Sequence, residues 1–413
     1  MIPGFLLTRQ WQDTPKGIRL DFWISTERGA IEVSIHQQKS IFFVDQKHAS
    51  SVEALLSSLG DVEVKPLELK KFDGEAISGV YFSSQQQLYR ARDLLTRNSI
   101  ACYESDIRPT DRFLSERFVT ASIDVDAAYS EETIHNVRLQ PGQYVPQFEV
   151  MSIDIESDYE TGQLFSIAFV SNQFSKTLII GSAVNNDKIE YCESETDLLQ
   201  RFIKCIVDID PDIFIGWNVI NFDFRLLQRR AQALRLPLSI GRRHSLPSWR
   251  KSQTDHDHHF ITIPGRVVLD GIDTLKSATY NFPSFALEAV GRELLGRGKL
   301  INGGNRHDPL YKAKEIRRQF NEDKESLAAY NLEDCQLVRD IFDKTDLIRF
   351  AIERARLTGL EMDRVGGSVA AFDNLYLPRL HRKGYIAPNI GDYRGELSAP
   401  GGYVMDSRPG LHD

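Results

Sequence analysis

The stretch Ser152-Ile-Asp-Ile-Glu156 decides the fold of the second part of this 413-residue chain. Residues 150–155 are rich in apolar and β-branched side chains, which predicts a strand, and that strand ends in acids. Side chains two positions apart in a strand point to the same face, so Asp154 and Glu156 are expected to converge. A D-x-E pair is also typical of a solvated strand edge, so it needs support from the rest of the chain.

The segments after this strand predict a mixed sheet with helices packed on it. Ser194 and Asp197 have the spacing of a helix-capping motif, and the apolar residues that follow recur with a helical period. Further strands are predicted at 164–171, 177–180, 212–216 and 267–270, and further helices at 222–234, 284–295 and 322–345. The resulting order matches an α/β (α+β) fold of the ribonuclease-H-like type.

Residues 1–146 have a different pattern. Short β-rich segments at 20–25, 31–35 and 41–44 predict strands, and residues 85–98 predict one helix. The Pro- and Gly-containing segment 140–146 predicts a domain boundary. We therefore expect a β-rich N-terminal domain ahead of the mixed-sheet domain.

Two more acidic positions follow other predicted elements. Asp223 comes just after the strand at 212–216, at a strand-to-helix turn where ligands collect in such sheets, although an acid there also caps a helix well. Tyr330 and Asp334 are four apart on one helix face, whereas Glu333 is expected to point elsewhere. An ordinary helix with one buried tyrosine would show the same spacing.

The acids as a set predict a metal site. Several unpaired carboxylates repel one another, and hard cations such as Mg²⁺ or Mn²⁺ relieve that repulsion. Two such ions support the in-line displacement of a phosphodiester, and Tyr330 is placed to hydrogen-bond the attacking water. The four predicted ligands are Asp154, Glu156, Asp223 and Asp334.

Charge is distributed unevenly along the chain. The net charge of −8 and the pI of about 5.8 argue against a general nucleic-acid binder. Residues 224–254 reverse this balance, because they hold eight basic residues and no acidic one. Such a run fits either a surface that tracks a phosphate backbone or a solvated helix and loop. The basic residues are Arg225, Arg229, Arg230, Arg235, Arg242, Arg243, Arg250 and Lys251.

Other classes of protein are not favoured by the sequence. No run of about 18 apolar residues predicts a membrane span. The four cysteines form no C-x-x-C pair and are expected to be reduced. The segment Asp255-His-Asp-His-His259 has no usual zinc spacing, and a polar hairpin tip is the favoured interpretation.

The acidic stretches resemble the proofreading exonuclease of family B DNA polymerases, particularly of bacterial members. The resemblance implies that Asp154, Glu156, Asp223 and Asp334 bind metal and act in catalysis with Tyr330, and that Asn218 and Phe222 lie near the 3′-terminal nucleotide. Ser157 stands where relatives usually have Thr, which leaves only fine contacts with the DNA end open. The stretches that carry the resemblance lie at 152–156, 216–223, 266–270, 330–334, 366–372 and 401–411.

The resemblance also implies a domain order and partners. It assigns 1–146 to the N-terminal domain, 147–365 to the exonuclease, 366–390 to a return to the N-terminal domain and 391–413 to the start of the palm. DNA is the expected substrate, as a single-stranded 3′ end or a primer–template, with two Mg²⁺ ions in a bacterial cytoplasm. No membrane is expected as a partner, and a sliding clamp is an expected partner of the intact protein.

The catalytic motifs of the polymerase are expected beyond Asp413, so this chain is expected to shorten DNA and not to extend it. Gly401, Gly402 and Tyr403 resemble the glycine motif that links the two active sites. Two alternatives stay open at this point. One is a DNA-binding or scaffolding fragment with an inactive exonuclease, and the other is a ribonuclease of the same fold.

Overall fold

The computed structural model describes residues 1–130, 132–252, 258–299, 311–364, 366–392 and 409–410. These residues divide into two compact units. The first unit comprises Met1–Ser40, Ser83–Gln85 and Arg108–Arg382. The second comprises Ile41–Phe82, Gln86–Ile107 and the described residues from Lys383 onward.

The strands and helices have the following bounds. The strands are β1 (Ile2–Thr14), β2 (Gly17–Thr26), β3 (Gly29–Gln38), β4 (Ser40–Asp45), β5 (Val62–Lys70), β6 (Ala76–Phe82), β7 (Ser122–Val125), β8 (Ile134–His135), β9 (Leu139–Pro141), β10 (Val150–Ser157), β11 (Leu164–Val170), β12 (Ser175–Ile180), β13 (Ile189–Cys192), β14 (Ile213–Gly216), β15 (Ser248–Lys251), β16 (His259–Thr262) and β17 (Val267–Asp270). The helices are α1 (Ala49–Leu56), α2 (Gln85–Arg97), α3 (Pro109–Ser115), α4 (Glu195–Ile209), α5 (Arg225–Ala233), α6 (Gly271–Ser277), α7 (Leu287–Leu295), α8 (Tyr311–Glu322), α9 (Lys324–Thr345), α10 (Leu347–Thr358) and α11 (Ser368–Arg382).

The first unit contains two six-stranded sheets. The N-terminal sheet has the order β8-β3-β2-β1-β7-β9, and the mixed sheet has the order β13-β12-β11-β10-β14-β17. In the mixed sheet, β10 pairs antiparallel with β11 and parallel with β14, which places it at the centre. Its two neighbours, β11 and β14, come from segments that are distant from each other in the sequence.

Alternation of side chains along β10 separates a core from a polar face. Met151, Ile153 and Ile155 join a buried cluster with residues of α4 and α5. The intervening residues Ser152, Asp154 and Glu156 therefore face the opposite side of the sheet. On that side Ser152 Oγ donates to the carbonyl of Cys335 in α9 at 2.9 Å, so this long helix packs over the polar face.

Most of the predicted elements of the mixed sheet are present, and the predicted mixed α/β fold class is confirmed. Ser194 caps α4 by accepting a hydrogen bond from the backbone N–H of Asp197, as its spacing predicts. The helix predicted at 222–234 is present, and it begins with a π-helical turn, Ile220–Phe224, that leads into α5. Between α5 and β17, the strands β15 and β16 form an antiparallel pair.

The second unit is a smaller three-stranded sheet with the order β4-β6-β5. One face packs on α1 and α2 through a cluster that includes Phe42, Phe82 and Leu88. The other face holds Phe43 and Ile77 against Ile386. The chain after α11 thus returns to complete this unit.

Within the described ranges, none of the helices combines the length and the apolar character needed to cross a bilayer.

The predicted domain boundaries at 146, 365 and 390 stay predictions.

Candidate active site

Strand β10 presents the first two acids from the centre of the mixed sheet. Asp154 is partly buried and Glu156 is 7% exposed. The pairing of β10 with β11 shifts register between Glu156 and Ser157, so the strand is irregular just beyond the second acid. Irregularities of this kind re-aim side chains next to functional sites.

Helix α9 supplies the third acid from above the sheet. Tyr330 and Asp334 are both almost fully buried on the face of the helix that meets β10 and β11. The hydroxyl of Thr177 donates to the carbonyl of Ala328 at 3.0 Å, which fixes the first part of α9 to the sheet. Glu333 instead pairs with Arg297, away from the acids.

Three carboxylates converge where the strand and the helix meet. One oxygen from each of Asp154, Glu156 and Asp334 lies within 4.8 Å of the others, and we call these three residues the acid cluster. Among the described residues, this is the one group of three or more potential ligands with such spacing. A set of buried carboxylate oxygens at this distance fits a hard divalent cation.

Asp223 lies beside the acid cluster without joining it. Its Oδ1 accepts the backbone N–H of Ile155 at 3.1 Å, and its side chain is 2% exposed. The π-helical turn that carries it follows β14, the parallel neighbour of β10. The structure therefore brings three of the four predicted acids together and ties the fourth to the strand between the first two.

Asn331 orients Asp154. Its Nδ2 donates to Asp154 Oδ2 at 2.6 Å, while its Oδ1 accepts the hydroxyl of Ser166 at 2.8 Å. Because both ends of the amide have partners in the buried interior, the carboxylate of Asp154 is held in one orientation. This residue was missed at the sequence level, since a buried amide next to Tyr330 has no distinctive spacing.

Two lysines lie against the acids and Tyr330, and the sequence did not indicate either. Lys299 Nζ contacts Asp334 Oδ2 and is 3.3 Å from the hydroxyl of Tyr330. Lys299 and Lys312 each place an ammonium group 5.4 Å from the centre of the Tyr330 ring. These cations partly offset the negative charge of the acid cluster.

The buried carboxyl groups of the site have raised pKa values. Burial, followed by the charge of Asp334, raises the pKa of Asp154 to about 7. Burial, followed by the charge of Asp154, raises the pKa of Glu156 to about 8 and that of Asp223 well above its usual range. Burial also raises the pKa of Tyr330, so its hydroxyl stays protonated and acts as a hydrogen-bond donor. The direction of these shifts indicates that Lys299 and Lys312 do not fully offset the burial and mutual repulsion of the carboxylates.

Asp270 is a further buried acid behind Asp223. Its Oδ1 caps α6 by accepting the N–H groups of Ile272 and Asp273, while its Oδ2 is buried with no protein partner among the described residues. Burial, followed by the charge of Asp273, raises the pKa of Asp270 to about 7. The cap gives this acid a structural role, and its charge adds to that around Asp223.

The two residues expected near the DNA end are exposed. Phe222 is 48% exposed on the π-helical turn, and Asn218, with φ of 57°, precedes that turn and is also exposed. Their role stays a prediction. The glycine motif at Gly401, Gly402 and Tyr403 and residues 255–257 of the histidine-rich segment lie outside the described residues.

Three of the eight basic residues at 224–254 form ion pairs within the chain. Arg230 forms an ion pair with Glu195 at 2.6 Å, and Arg243 forms one with Glu32 at 2.7 Å. Arg242 is 7% exposed and binds Asp210 and Asp212. Arg230, Arg242 and Arg243 are thus engaged within the chain, and the interpretation of the run as a surface that tracks a phosphate backbone stays a prediction.

Comparison with known proteins connects this site to a family. Residues 93–290 match the exonuclease domain of DNA polymerase family B, residues 4–39 match the N-terminal region of DNA polymerase II, and residues 40–100 match the DNA polymerase II insertion domain. The exonuclease match includes Asp154, Glu156 and Asp223 and ends before α9.

Individual relatives agree with these matches. DNA polymerase II of Escherichia coli (strain K12) is 42% identical over 99% of this chain and 52% of its own length. DNA polymerase 1 of Pyrococcus abyssi is 28% identical over 70% of this chain and 37% of its own length. The chain thus spans about half the length of the Escherichia coli relative.

A solved structure shows the same fold. The family B DNA polymerase from the hyperthermophilic archaeon Pyrobaculum calidifontis superposes with a TM-score of 0.76 at 18% identity, over 94% of this chain and 51% of that chain. This likeness agrees with the predicted ribonuclease-H-like fold of the mixed-sheet domain. Since the family matches run without a gap from residue 4 to residue 290 and the Escherichia coli relative aligns with almost all of it, this chain belongs to the family B DNA polymerases and carries their exonuclease domain.

Proposed function

We propose that this chain hydrolyses the 3′-terminal phosphodiester of DNA, as the 3′→5′ proofreading exonuclease of a bacterial DNA polymerase. The observation that carries the proposal is the convergence of Asp154, Glu156 and Asp334 within 4.8 Å, in a domain of the matching family. Two lysines, Lys299 and Lys312, lie against three carboxylates, and a divalent cation would offset the negative charge that remains.

The residues fit divalent metal ions. All three donors are carboxylates, and the raised pKa values of Asp154 and Glu156 mean that a cation stronger than Lys299 and Lys312 is needed to keep them ionised near neutral pH. We assign Asp154, Glu156, Asp223 and Asp334 as the groups that would hold two Mg²⁺ ions, with Mn²⁺ as a substitute. When bound, such ions stabilise developing negative charge and lower the pKa of water.

The chain's own residues then orient the reacting groups. Asn331 holds Asp154 in one orientation, and Asp223 fixes the backbone between Asp154 and Glu156. Tyr330 keeps its proton and donates a hydrogen bond toward the attacking water. Lys299, against both Asp334 and Tyr330, limits the excess negative charge where a phosphate must approach.

The exposed ring of Phe222, together with Asn218, would contact the 3′-terminal nucleotide of the substrate. An aromatic ring at the protein surface stacks on a nucleotide base without regard to sequence, and each such stack contributes about 1–3 kcal/mol. A frayed single-stranded 3′ end presents an unstacked base, so we expect single strands to be cut better than paired ends. The bacterial cytoplasm as the place of action and a sliding clamp as a partner of the intact protein belong to the same proposal.

The test is a time course with 5′-labelled single-stranded DNA, the matching RNA and a blunt duplex, each with Mg²⁺ or with a chelator. We expect a ladder that shortens from the 3′ end for single-stranded DNA, slower shortening of the duplex and no reaction in chelator.

The outcomes separate this proposal from its alternatives. Faster cleavage of RNA than of DNA would indicate a ribonuclease of the same fold. Retention of DNA in a filter-binding assay without any shortening in Mg²⁺ or Mn²⁺ would indicate a binding fragment with an inactive exonuclease.

A further inference from the structure

Two histidines of the N-terminal sheet, His36 and His135, face each other through their ring nitrogens. His36 lies near the end of β3, and His135 ends β8, the parallel edge strand beside it. Their ring nitrogens, Nε2 of His36 and Nδ1 of His135, are 3.1 Å apart, and the ring centres are 5.1 Å apart. The proposed exonuclease uses neither residue.

Asn136 fixes the two histidines relative to each other. Its backbone N–H donates to the carbonyl of Ser34 at 2.9 Å, and its Oδ1 accepts the backbone N–H of His36 at 2.8 Å. Its φ of 50° turns the chain immediately after His135. The backbones that carry both rings are therefore bound to one residue, which fixes the distance between the two backbone segments.

The separation of the two nitrogens fits two ligands of one metal ion. Nitrogen–metal bonds of about 2.0–2.1 Å in a tetrahedral site place neighbouring ligand nitrogens about 3.3 Å apart. Without an ion, the N–H of one ring must donate a hydrogen bond to the other ring, whose nitrogen lone pair accepts it. We propose that His36 and His135 bind a borderline transition-metal ion, Ni²⁺, Cu²⁺ or Zn²⁺, through two imidazole nitrogens.

The surroundings define what kind of ion fits. An open cleft of about 450 Å³ borders His36 and leaves room for water to complete the coordination. Lys16 and Arg19 line the same cleft and oppose any cation that is held by charge alone. Ions that form strong bonds to imidazole are favoured over Mg²⁺, with affinity rising from Ni²⁺ to Cu²⁺ and falling again at Zn²⁺.

The nitrogen pair and the acid cluster should therefore select different ions. The acid cluster offers only oxygens, which suit Mg²⁺ and Mn²⁺, whereas the histidine pair offers only nitrogens. This difference allows the two sites to be titrated separately in one protein.

The experiment is a calorimetric titration of the untagged full chain with Ni²⁺, in a non-coordinating buffer that contains millimolar Mg²⁺ to occupy the acid cluster. His36→Gln and His135→Gln are compared with His244→Gln, an exposed histidine elsewhere, and with His258→Gln at the other histidine-rich segment. We expect each of the first two substitutions to weaken one Ni²⁺-binding event about tenfold or more, and the two controls to leave that event unchanged.

Two readouts keep the result independent of folding and of nuclease activity. Thermal unfolding in chelator shows whether His36→Gln and His135→Gln fold like the parent, and added Ni²⁺ should raise the Tm of the parent but not of either variant. A variant that unfolds earlier in chelator is replaced in the titration by the Asn substitution at the same position. Unchanged Ni²⁺ binding in both variants, or equal competition by Mg²⁺, would overturn the proposal.

Discussion

Two groups of charged side chains in the same domain differ in how they are balanced. In the first, Arg242 and Arg266 bind Asp210 and Asp212, with nitrogen–oxygen distances of 2.8–3.0 Å. Equal numbers of cations and anions lie within hydrogen-bond distance there. Burial, followed by the charge of Arg242, lowers the pKa of Arg266 to about 10, which leaves this guanidinium protonated at neutral pH.

The acid cluster has the opposite character. Asp154, Glu156 and Asp334, with Asp223 beside them, outnumber Lys299 and Lys312, and the pKa values of Asp154 and Glu156 rise to about 7 and 8. A balanced buried group stabilises the fold at a desolvation cost that its own partners offset. An unbalanced one keeps an excess of negative charge that protonation or an added cation can offset, and such an excess is typical of a metal site.

The sharpest test of this difference is Asp154→Asn. We expect cleavage of single-stranded DNA to fall about a thousandfold or more, which corresponds to a loss of about 4 kcal/mol of transition-state stabilisation. The free energy of unfolding in chelator should stay the same or rise, because one of several repelling carboxylates is gone. Cleavage rates on a labelled oligonucleotide and urea unfolding curves measure the two effects.

Asp124→Asn is a matched control, since Asp124 is a partly exposed acid of β7 in the N-terminal sheet. Near-normal cleavage by a purified Asp154→Asn protein would contradict the assignment of the acid cluster.

Arg242→Met should lower stability and leave activity unchanged, which is the reverse of the effect of Asp154→Asn. It leaves Asp212 and part of Asp210 without their cation, so we expect a loss of about 3 kcal/mol in the free energy of unfolding. The rate of DNA cleavage per folded molecule should not change. Arg229→Met, an exposed arginine of α5, is the control and should leave both quantities near the parent values. A loss of DNA affinity without a loss of stability would show that Arg242 serves the DNA after all.

Tyr330→Phe tests the neutral member of the site. Loss of one hydrogen bond to the attacking water should cost about 1–3 kcal/mol, a rate decrease of roughly ten- to a hundredfold. Mn²⁺ affinity, measured from the signal of the free ion in paramagnetic resonance, should be unchanged. If Mn²⁺ affinity falls as far as the rate, Tyr330 maintains the shape of the site and does not position water.

The smallest expected effect concerns pH. A carboxyl group whose pKa is higher in the folded than in the unfolded chain contributes stability that is fully present below about pH 4 and is lost as pH rises through its folded pKa. In chelator, Tm should therefore decrease between about pH 5 and pH 8, where Asp154 and Glu156 ionise. Mg²⁺ should flatten this slope, and so should Asp154→Asn. A flat profile for the parent chain in chelator would mean that the acid cluster is already balanced.

The sequence was informative where a local period controls geometry. The two-residue period of β10 and the four-residue spacing on α9 predicted which acids share a face, and the structure brings Asp154, Glu156 and Asp334 together. It was not informative where partners come from distant segments. Asn331 and Lys299 have no pattern of their own, and the ion pairs of Arg242 and Arg243 depend on tertiary contacts. The short strand β13 was not predicted from the sequence.

The hydrogen bond from Asn331 to Asp154 joins residues 177 positions apart in the chain. During synthesis at about 5–20 residues per second, α9 leaves the ribosome roughly 10–35 s after β10. Throughout that interval the carboxylates of β10 exist without Asp334, so the nascent chain has no complete ligand set. A nuclease assembled from such distant segments becomes active only after most of its domain has been translated, and prematurely terminated chains remain harmless to DNA.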